Sequence, residues 1–197
     1  MNNANARECL GKLYEVAERL DFKPFLCAGT ALSAYRDNRF NDNDRDIDIA
    51  LFESVKHIRI YINELIKVGF TYKQGFGSEE HGLQEVLIWG DLTVDIHKLY
   101  CGKRYWICAW DGGEFEMENG WERCRMVKFS WTPFKIKPQL FEGVKIYMPS
   151  NCGLYLAEQY NTWNVPVNAC DWHFAKSAFN SKYTDIVMNR RTTWSLD

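Results

Sequence analysis

No block of lysine and arginine occurs in this sequence. Its 24 basic residues are dispersed among 26 acidic ones, for a formal charge of −2. Sequence-independent attraction to a phosphate backbone is therefore weak, which disfavours a nucleic-acid-polymerising role. No C-x-x-C pair occurs among the seven cysteines, at positions 9, 27, 101, 108, 124, 152 and 170. An odd, scattered set fits free thiols in a reducing compartment better than a disulfide framework. Cys101, Cys108 and Cys124, with His97 nearby, match no standard zinc spacing. No apolar run approaches the roughly 20 residues needed to span a bilayer, and the N-terminus is polar, without a signal-peptide core. A soluble, cytoplasmic protein is the expectation. Internal repeats, low-complexity runs and linkers are also missing, so one domain over residues 1–197 is expected.

What is present centres on Ala28 to Phe52. Gly29-Thr30 follows the apolar run Phe25-Leu26-Cys27-Ala28. Asp44, Asp46 and Asp48 then alternate with Ile47 and Ile49 at the period of a β-strand. Asp46 and Asp48 should share one face while the isoleucines enter the core. Like charges side by side repel unless neutralised, and a hard divalent cation held by carboxylate oxygens does this. Taken alone, the D-x-D could equally be a solvated strand end. A second alternating run, Leu92-Thr93-Val94-Asp95-Ile96, supplies one more carboxylate. A Gly-Thr turn, two carboxylates on one strand and a third on a neighbour form the pattern of a nucleotidyltransferase-like fold. Three carboxylates can hold metal ions that orient an in-line displacement at phosphorus. The glycine permits close approach of backbone to phosphate.

In chain order, helical spacing predicts a helix from about Asn5 to Leu20, then a short strand Phe25–Ala28 and a helix Thr30–Tyr35 with Thr30 as candidate N-cap. Arg36 and Arg39 follow as solvated residues or phosphate contacts. Phe40–Arg45 reads as loop, Asp46–Phe52 as strand, and Ser54–Val68 as helix with Gly69 as C-cap. Phe70–Lys73 reads as a strand and Gly75-Phe76-Gly77-Ser78 as a hairpin connection. Gln84–Trp89 and Leu92–Leu99 form a hairpin about Gly90-Asp91, which places Asp95 on a central strand. Short segments follow at Arg104–Trp110, Glu114–Glu118, Arg125–Trp131 and Val144–Met148, a β-rich meander. Its tryptophans, Trp106, Trp110, Trp121 and Trp131, read as cover for a small second core, with base or sugar stacking as the competing use. Ser150 or Asn151 should cap a helix ending at Tyr160. Asn161–Pro166 reads as loop and Asp171–Phe179 as a last helix, and the tail from Arg190 reads as loosely held. The fold class is thus α+β: a nucleotidyltransferase-like mixed sheet with flanking helices, a β-rich central extension and a helical C-terminal part.

Two separated stretches resemble the LicD/fukutin family. One is Gly29-Thr30 through Asp44-Arg45-Asp46-Ile47-Asp48-Ile49, and the other is Val144 to Pro149 with Leu156, Tyr160, Trp163 and Pro166. Val94-Asp95-Ile96 looks like that family's third-carboxylate strand. The chain departs from the pattern at Asn41-Asp42-Asn43, where Ile-Pro-Trp is usual, and at Asn161, where Gly is usual. The resemblance implies transfer of phosphocholine or a polyol phosphate from a CDP-linked donor to a sugar or glycan acceptor. It implies Mg2+ or Mn2+ on Asp46, Asp48 and Asp95, with Asp95 as third ligand or base. Gly29 and Thr30 would hold donor phosphate, and Asp44 would stand at the rim. Arg36 and Lys98 are further possible phosphate contacts. Two other readings remain open: a nucleotidyltransferase moving NMP from NTP onto a small-molecule hydroxyl of antibiotic type, and a non-catalytic nucleotide-binding or antitoxin-like module on the same scaffold.

Overall fold

The computed structural model describes residues 3–42, 44–110, 114–118, 121–165 and 181–194. Helix α1 (Asn3–Arg19) leads into the two-residue strand β1 (Phe25–Leu26) and the short helix α2 (Ala28–Leu32), which widens into a π-helical turn, Ser33–Asp37. Strand β2 (Asp46–Leu51) and helix α3 (Val55–Lys67) follow. Ser54 caps α3 by accepting the His57 N–H at 3.3 Å, and Gly69 (φ +114°) ends the turn after it. A run of strands comes next: β3 (Thr71–Ser78), β4 (Gly82–Trp89), β5 (Leu92–Lys98), β6 (Tyr105–Trp110), β7 (Glu116–Glu118), β8 (Trp121–Trp131), β9 (Ile136–Phe141) and β10 (Val144–Pro149). Helix α4 (Cys152–Tyr160) and strand β11 (Ser181–Arg191) complete the described chain.

The architecture is the expected α+β class. One mixed sheet runs β6-β8-β11-β3-β4-β5-β2-β1-β10-β9, with β7 paired to β8. Strands β2 and β5 are parallel neighbours, and β1 is antiparallel to β2 and parallel to β10. Ile47, Ile49, Val94 and Ile96 join Leu10 and Leu13 of α1 and Ile58, Ile62 and Leu65 of α3 in the main core. Tyr61 ties the two helices together, its hydroxyl donating to the Leu13 carbonyl at 2.8 Å.

The sheet also curls, so that β6 returns against β4 and β5. The His97 ring donates from Nδ1 to the Cys108 carbonyl at 3.2 Å, and the Trp110 N–H donates to Gln84 at 2.7 Å. Gly82 permits the approach: a Cβ there would sit 2.7 Å from Cys108 Sγ. The curl encloses a second core of Phe76, Val86, Cys108, Cys124 and Met126, with Trp106, Trp110 and Phe115 packed on it. Trp131 is buried in the main core. Trp106 and Trp110 therefore cover the small second core, as expected, whereas Trp131 belongs to the main one. The side chain of Trp121 lies outside the described residues.

Four expectations fail. Gly75 to Ser78 is not a hairpin connection but the second half of β3, and residues 79–81 make the turn. Gly75 stands where Glu85 of β4, Tyr72 and Arg191 converge: a Cβ would overlap Glu85 Oε2 and lie 2.5 Å from the Tyr72 hydroxyl. The tail from Arg190 is not loose. It ends β11, inserted between β3 and β8, where Arg191 pairs with the buried Glu85 at 2.8 Å and Arg190 with Glu122 at 2.7 Å. Thr30 does not cap its helix, which starts two residues earlier after Cys27. Neither Ser150 nor Asn151 caps α4 through its side chain; Asn151 is the capping residue by backbone alone. The helix expected over Asp171–Phe179 lies outside the described residues.

Gly75→Ala should lower stability by about 1–3 kcal/mol, the usual cost of forcing atoms into a packed site. For a chain of this size that is roughly 2–12 °C in melting temperature. An unchanged melting temperature would show that the Glu85–Arg191 pair moves aside freely.

Candidate active site

Three carboxylates converge at the centre of the sheet. Asp46 and Asp48 lie two residues apart on β2, and Asp48 is in direct register with Asp95 on β5. In a parallel pair, residues in register show their side chains on one face. One oxygen from each of the three lies within 4.8 Å of the others. This is the only such group of possible metal-ligating side chains among the described residues. Cys108 and Cys124 are instead buried in the second core and Cys101 is exposed, so the cysteines beside His97 do not converge.

Helix α2 is clamped onto this cluster. The Asp48 N–H donates to Thr30 Oγ1 at 2.9 Å, and that hydroxyl faces Asp48 Oδ2 at 3.4 Å. The Cys27 N–H donates to the Asp48 carbonyl at 3.1 Å. Thr30 is buried, and its hydroxyl is hydrogen-bonded to Asp48. Gly29 borders the acids directly: a Cβ there would lie 3.4 Å from Asp44 Oδ2 and 3.7 Å from Asp48 Oδ2. Asp44 thus stands at the rim beside Gly29, and the Arg45 N–H donates to its carboxylate at 3.1 Å.

Crowding dominates the electrostatics. The Asp46 carboxyl is pushed up to about 10, first by the charge of Asp48, then by burial and by a hydrogen bond with Asp44 that favours the acid. Burial, then the charge of Asp95, holds Asp48 well above the usual carboxylate range. Asp95 is raised by burial, while His97, a hydrogen bond from Gln84 and the charge of Lys73 pull it back. Without a cation, Asp46 retains its proton at neutral pH. Three hard oxygen donors crowded in this way suit Mg2+ or Mn2+ rather than a soft metal.

Several neighbours escaped the sequence reading. Gln84 of β4 donates to Asp95 Oδ1 at 2.7 Å. The Tyr160 phenol is pushed up by burial first and then by the charge of Asp48, so it is a neutral hydroxyl near the acids. Lys73 interrupts the β3–β4 register between Tyr72 and Gln74. Its charge is felt at Asp95. No carboxylate forms an ion pair with Lys73 among the described residues. The two cations suggested by sequence are occupied elsewhere. Arg36 binds Asp37 and the Trp163 carbonyl, and Lys98 binds the Glu53 carbonyl and lies over the Tyr100 ring.

No family model matches the sequence, and no curated protein matches it. Solved structures similar to this chain include two of an antibiotic-resistance factor. A crystal structure of ANT(2")-Ia in complex with adenylyl-2"-tobramycin shares 15% identity over 87% of this chain and 88% of that one, with a TM-score of 0.46. A solution structure of the antibiotic-resistance factor ANT(2'')-Ia shares 13% identity over 89% and 84%, with a TM-score of 0.49. At this identity the likeness concerns the fold.

The LicD/fukutin expectation is corrected accordingly. No family model places the chain in that family, and the similar solved structures are of an antibiotic-resistance factor, one of them in complex with adenylyl-2"-tobramycin. The stretch that suggested it has a packing role. Tyr155 and Leu156 are core residues, Trp163 packs edge-on against Tyr35 at 5.2 Å, and Asn161 takes the left-handed turn (φ +56°) that ends α4. Such a helix-and-turn closes the fold whatever the acceptor. Phosphotransfer from a CDP donor to a glycan is withdrawn.

Proposed function

We propose that this protein is a divalent-metal-dependent nucleotidyltransferase that moves a nucleoside monophosphate from an NTP onto a small-molecule hydroxyl. The observation that carries this reading is the triad, three carboxylate oxygens within 4.8 Å on two parallel strands beside Gly29 in the first turn of α2. Dispersed charge, −2 overall, favours a small acceptor over nucleic acid.

In the reaction, the acceptor oxygen bonds to the α-phosphorus. The bond from that phosphorus to the oxygen bridging to the β-phosphate breaks, pyrophosphate leaves, and the hydroxyl gives up its proton. A Mg2+ or Mn2+ ion held by Asp46, Asp48 and Asp95 would neutralise phosphate oxygens and polarise the attacking hydroxyl. Thr30 fixes Asp48, and Gly29 leaves room for a phosphate oxygen against the backbone of α2. Asp44 closes the rim on that side. Lys73, which forms no ion pair among the described residues and whose charge acts on Asp95, would meet charge gathering on the leaving pyrophosphate.

Gly29→Ala separates room for substrate from fold. Gly29 has no positive φ and its Cβ would meet only ordinary contacts, while alanine favours a helix by about 0.8–1 kcal/mol. Stability should hold or rise slightly, while kcat/KM for the NTP falls by about tenfold or more, as a remote ångström-scale misplacement of substrate does. Full activity in this variant would remove Gly29 from the donor site.

The proposal is tested with ATP, GTP, CTP and UTP, each with and without Mn2+. A nucleotide at about 100 times its dissociation constant stabilises by roughly 2.7 kcal/mol, about 5–10 °C here. Metal-dependent stabilisation by an NTP, followed by pyrophosphate release with hydroxyl acceptors, is the expected result. Binding without any pyrophosphate would favour the non-catalytic nucleotide-binding module. No metal-dependent binding of any of the four would overturn the proposal.

A further inference from the structure

Gln84 sits inside a strand whose neighbours are almost all apolar, and it is 7% exposed. A buried primary amide requires partners for both its ends. Here it has them. Oε1 accepts the backbone N–H of Trp110 at 2.7 Å, and Nε2 donates to Asp95 Oδ1 at 2.7 Å. The two ends of such an amide are normally hard to tell apart, but a backbone N–H can only donate. Trp110 therefore fixes Oε1 on its own side and turns the NH2 group onto the carboxylate. When Asp95 is ionised, as a metal ligand must be, the contact is charge-assisted, the stronger class of hydrogen bond. The terminal torsion of an aspartate is otherwise broad and roughly two-fold. Among the described residues, the Gln84 amide is the hydrogen-bond donor that holds the Asp95 carboxylate.

We infer that Gln84 is the positioning residue of the third carboxylate: anchored by the Trp110 N–H, its amide fixes the rotation at which an Asp95 oxygen joins those of Asp46 and Asp48 as a metal ligand. This deepens the metal-site reading above and rests on it. The Trp110 N–H reaches Gln84 only because β6 folds back over β4. The curl that builds the second core therefore also tunes the metal site. Leucine or valine, which the strand pattern would favour, would bury the Trp110 N–H unpaired and leave Asp95 free to rotate.

The test is Mn2+ binding by isothermal titration calorimetry to the full chain and to Gln84→Met, Asp95→Asn and the double variant, with melting temperature recorded for each. Groups that orient a metal ligand typically cost about 10- to 100-fold in metal affinity when removed. Gln84→Met should weaken Mn2+ by that factor in the wild-type background and have no further effect in the Asp95→Asn background. If Gln84→Met fails to fold, Gln84→Asn replaces it. It is still polar but one methylene too short to span both partners, and it should weaken Mn2+ in the same way. A merely structural role would lower the melting temperature and leave Mn2+ affinity unchanged, which overturns the inference. Equal weakening in both backgrounds also overturns it, because the effect would not pass through Asp95. Absence of Mn2+ binding to the wild type would instead sink the metal-site reading itself.

Discussion

Asp48→Asn should abolish turnover and, at the same time, stabilise the metal-free protein. Asp48 is the central acid of the triad, two residues from Asp46 and in register with Asp95. Its loss removes a ligand from the middle of the donor set, and kcat should fall by about a thousandfold or more, some 4 kcal/mol of barrier. The stability effect has the opposite sign. Asp48 is held well above its ordinary range by burial and by Asp95, and it is the largest cause of the rise at Asp46. An amide keeps the shape and can still accept from Thr30, but it carries no charge to repel its neighbours. Relief of such crowding is worth on the order of 1–3 kcal/mol, at the scale of other large single-site effects. Thermal melting in EDTA together with an activity assay tests both halves. A variant that is inactive and less stable would mean that Asp48 holds the fold rather than a metal. An active variant would remove the triad from the chemistry altogether.

Stability of the metal-free protein should fall as pH rises, and Mn2+ should remove that fall. The Asp46 carboxyl is raised from 3.8 to about 10 in the folded chain. A group bound more tightly to its proton in the folded state stabilises folding fully below its unfolded pKa and loses that contribution as pH climbs through the folded one. For Asp46 the window runs from about 4 to about 10, and Asp48 and Asp95 shift in the same direction. The apo melting temperature should therefore decline across this range relative to Asp46→Asn, which lacks the titrating group. A divalent ion replaces the retained protons, so Mn2+ binding at pH 7 should release protons and the stabilisation it gives should grow with pH. Calorimetry in two buffers of different ionisation enthalpy measures the proton count. A release of zero, with an apo melting curve that tracks Asp46→Asn at every pH, would show that the acids are already ionised and do not share a metal site.

The carboxylates were legible because strand alternation is local. Asp46-Ile47-Asp48-Ile49 writes its two faces directly into the sequence, and Leu92 to Ile96 does the same for Asp95. The hairpin about Gly90 was legible for a similar reason, since a left-handed glycine (φ +60°) at a two-residue turn needs only its neighbours. Gly75 was misread because its reason is distant. It makes room for Glu85 and for Arg191, residues whose ion pair closes over 106 positions of sequence. The tail was misread likewise: a polar strand earns no apolar signature when its arginines are neutralised by Glu85 and Glu122 on other strands. Gln84 carried a signal, a polar residue in an apolar strand, but its meaning required both Asp95 and Trp110.

By itself, the sequence determined the α+β class, the shared face of Asp46 and Asp48, and the second core that Trp106 and Trp110 cover. Each of these follows from periodicity over a few residues or from the chemistry of one side chain. Only the tertiary structure decided that Asp48 and Asp95 lie in register, that Thr30 is spent on Asp48, that β11 enters the sheet and that Gln84 grips Asp95. Those facts depend on which strands are neighbours and how the sheet curls. That is a property of long-range packing, which no local pattern encodes.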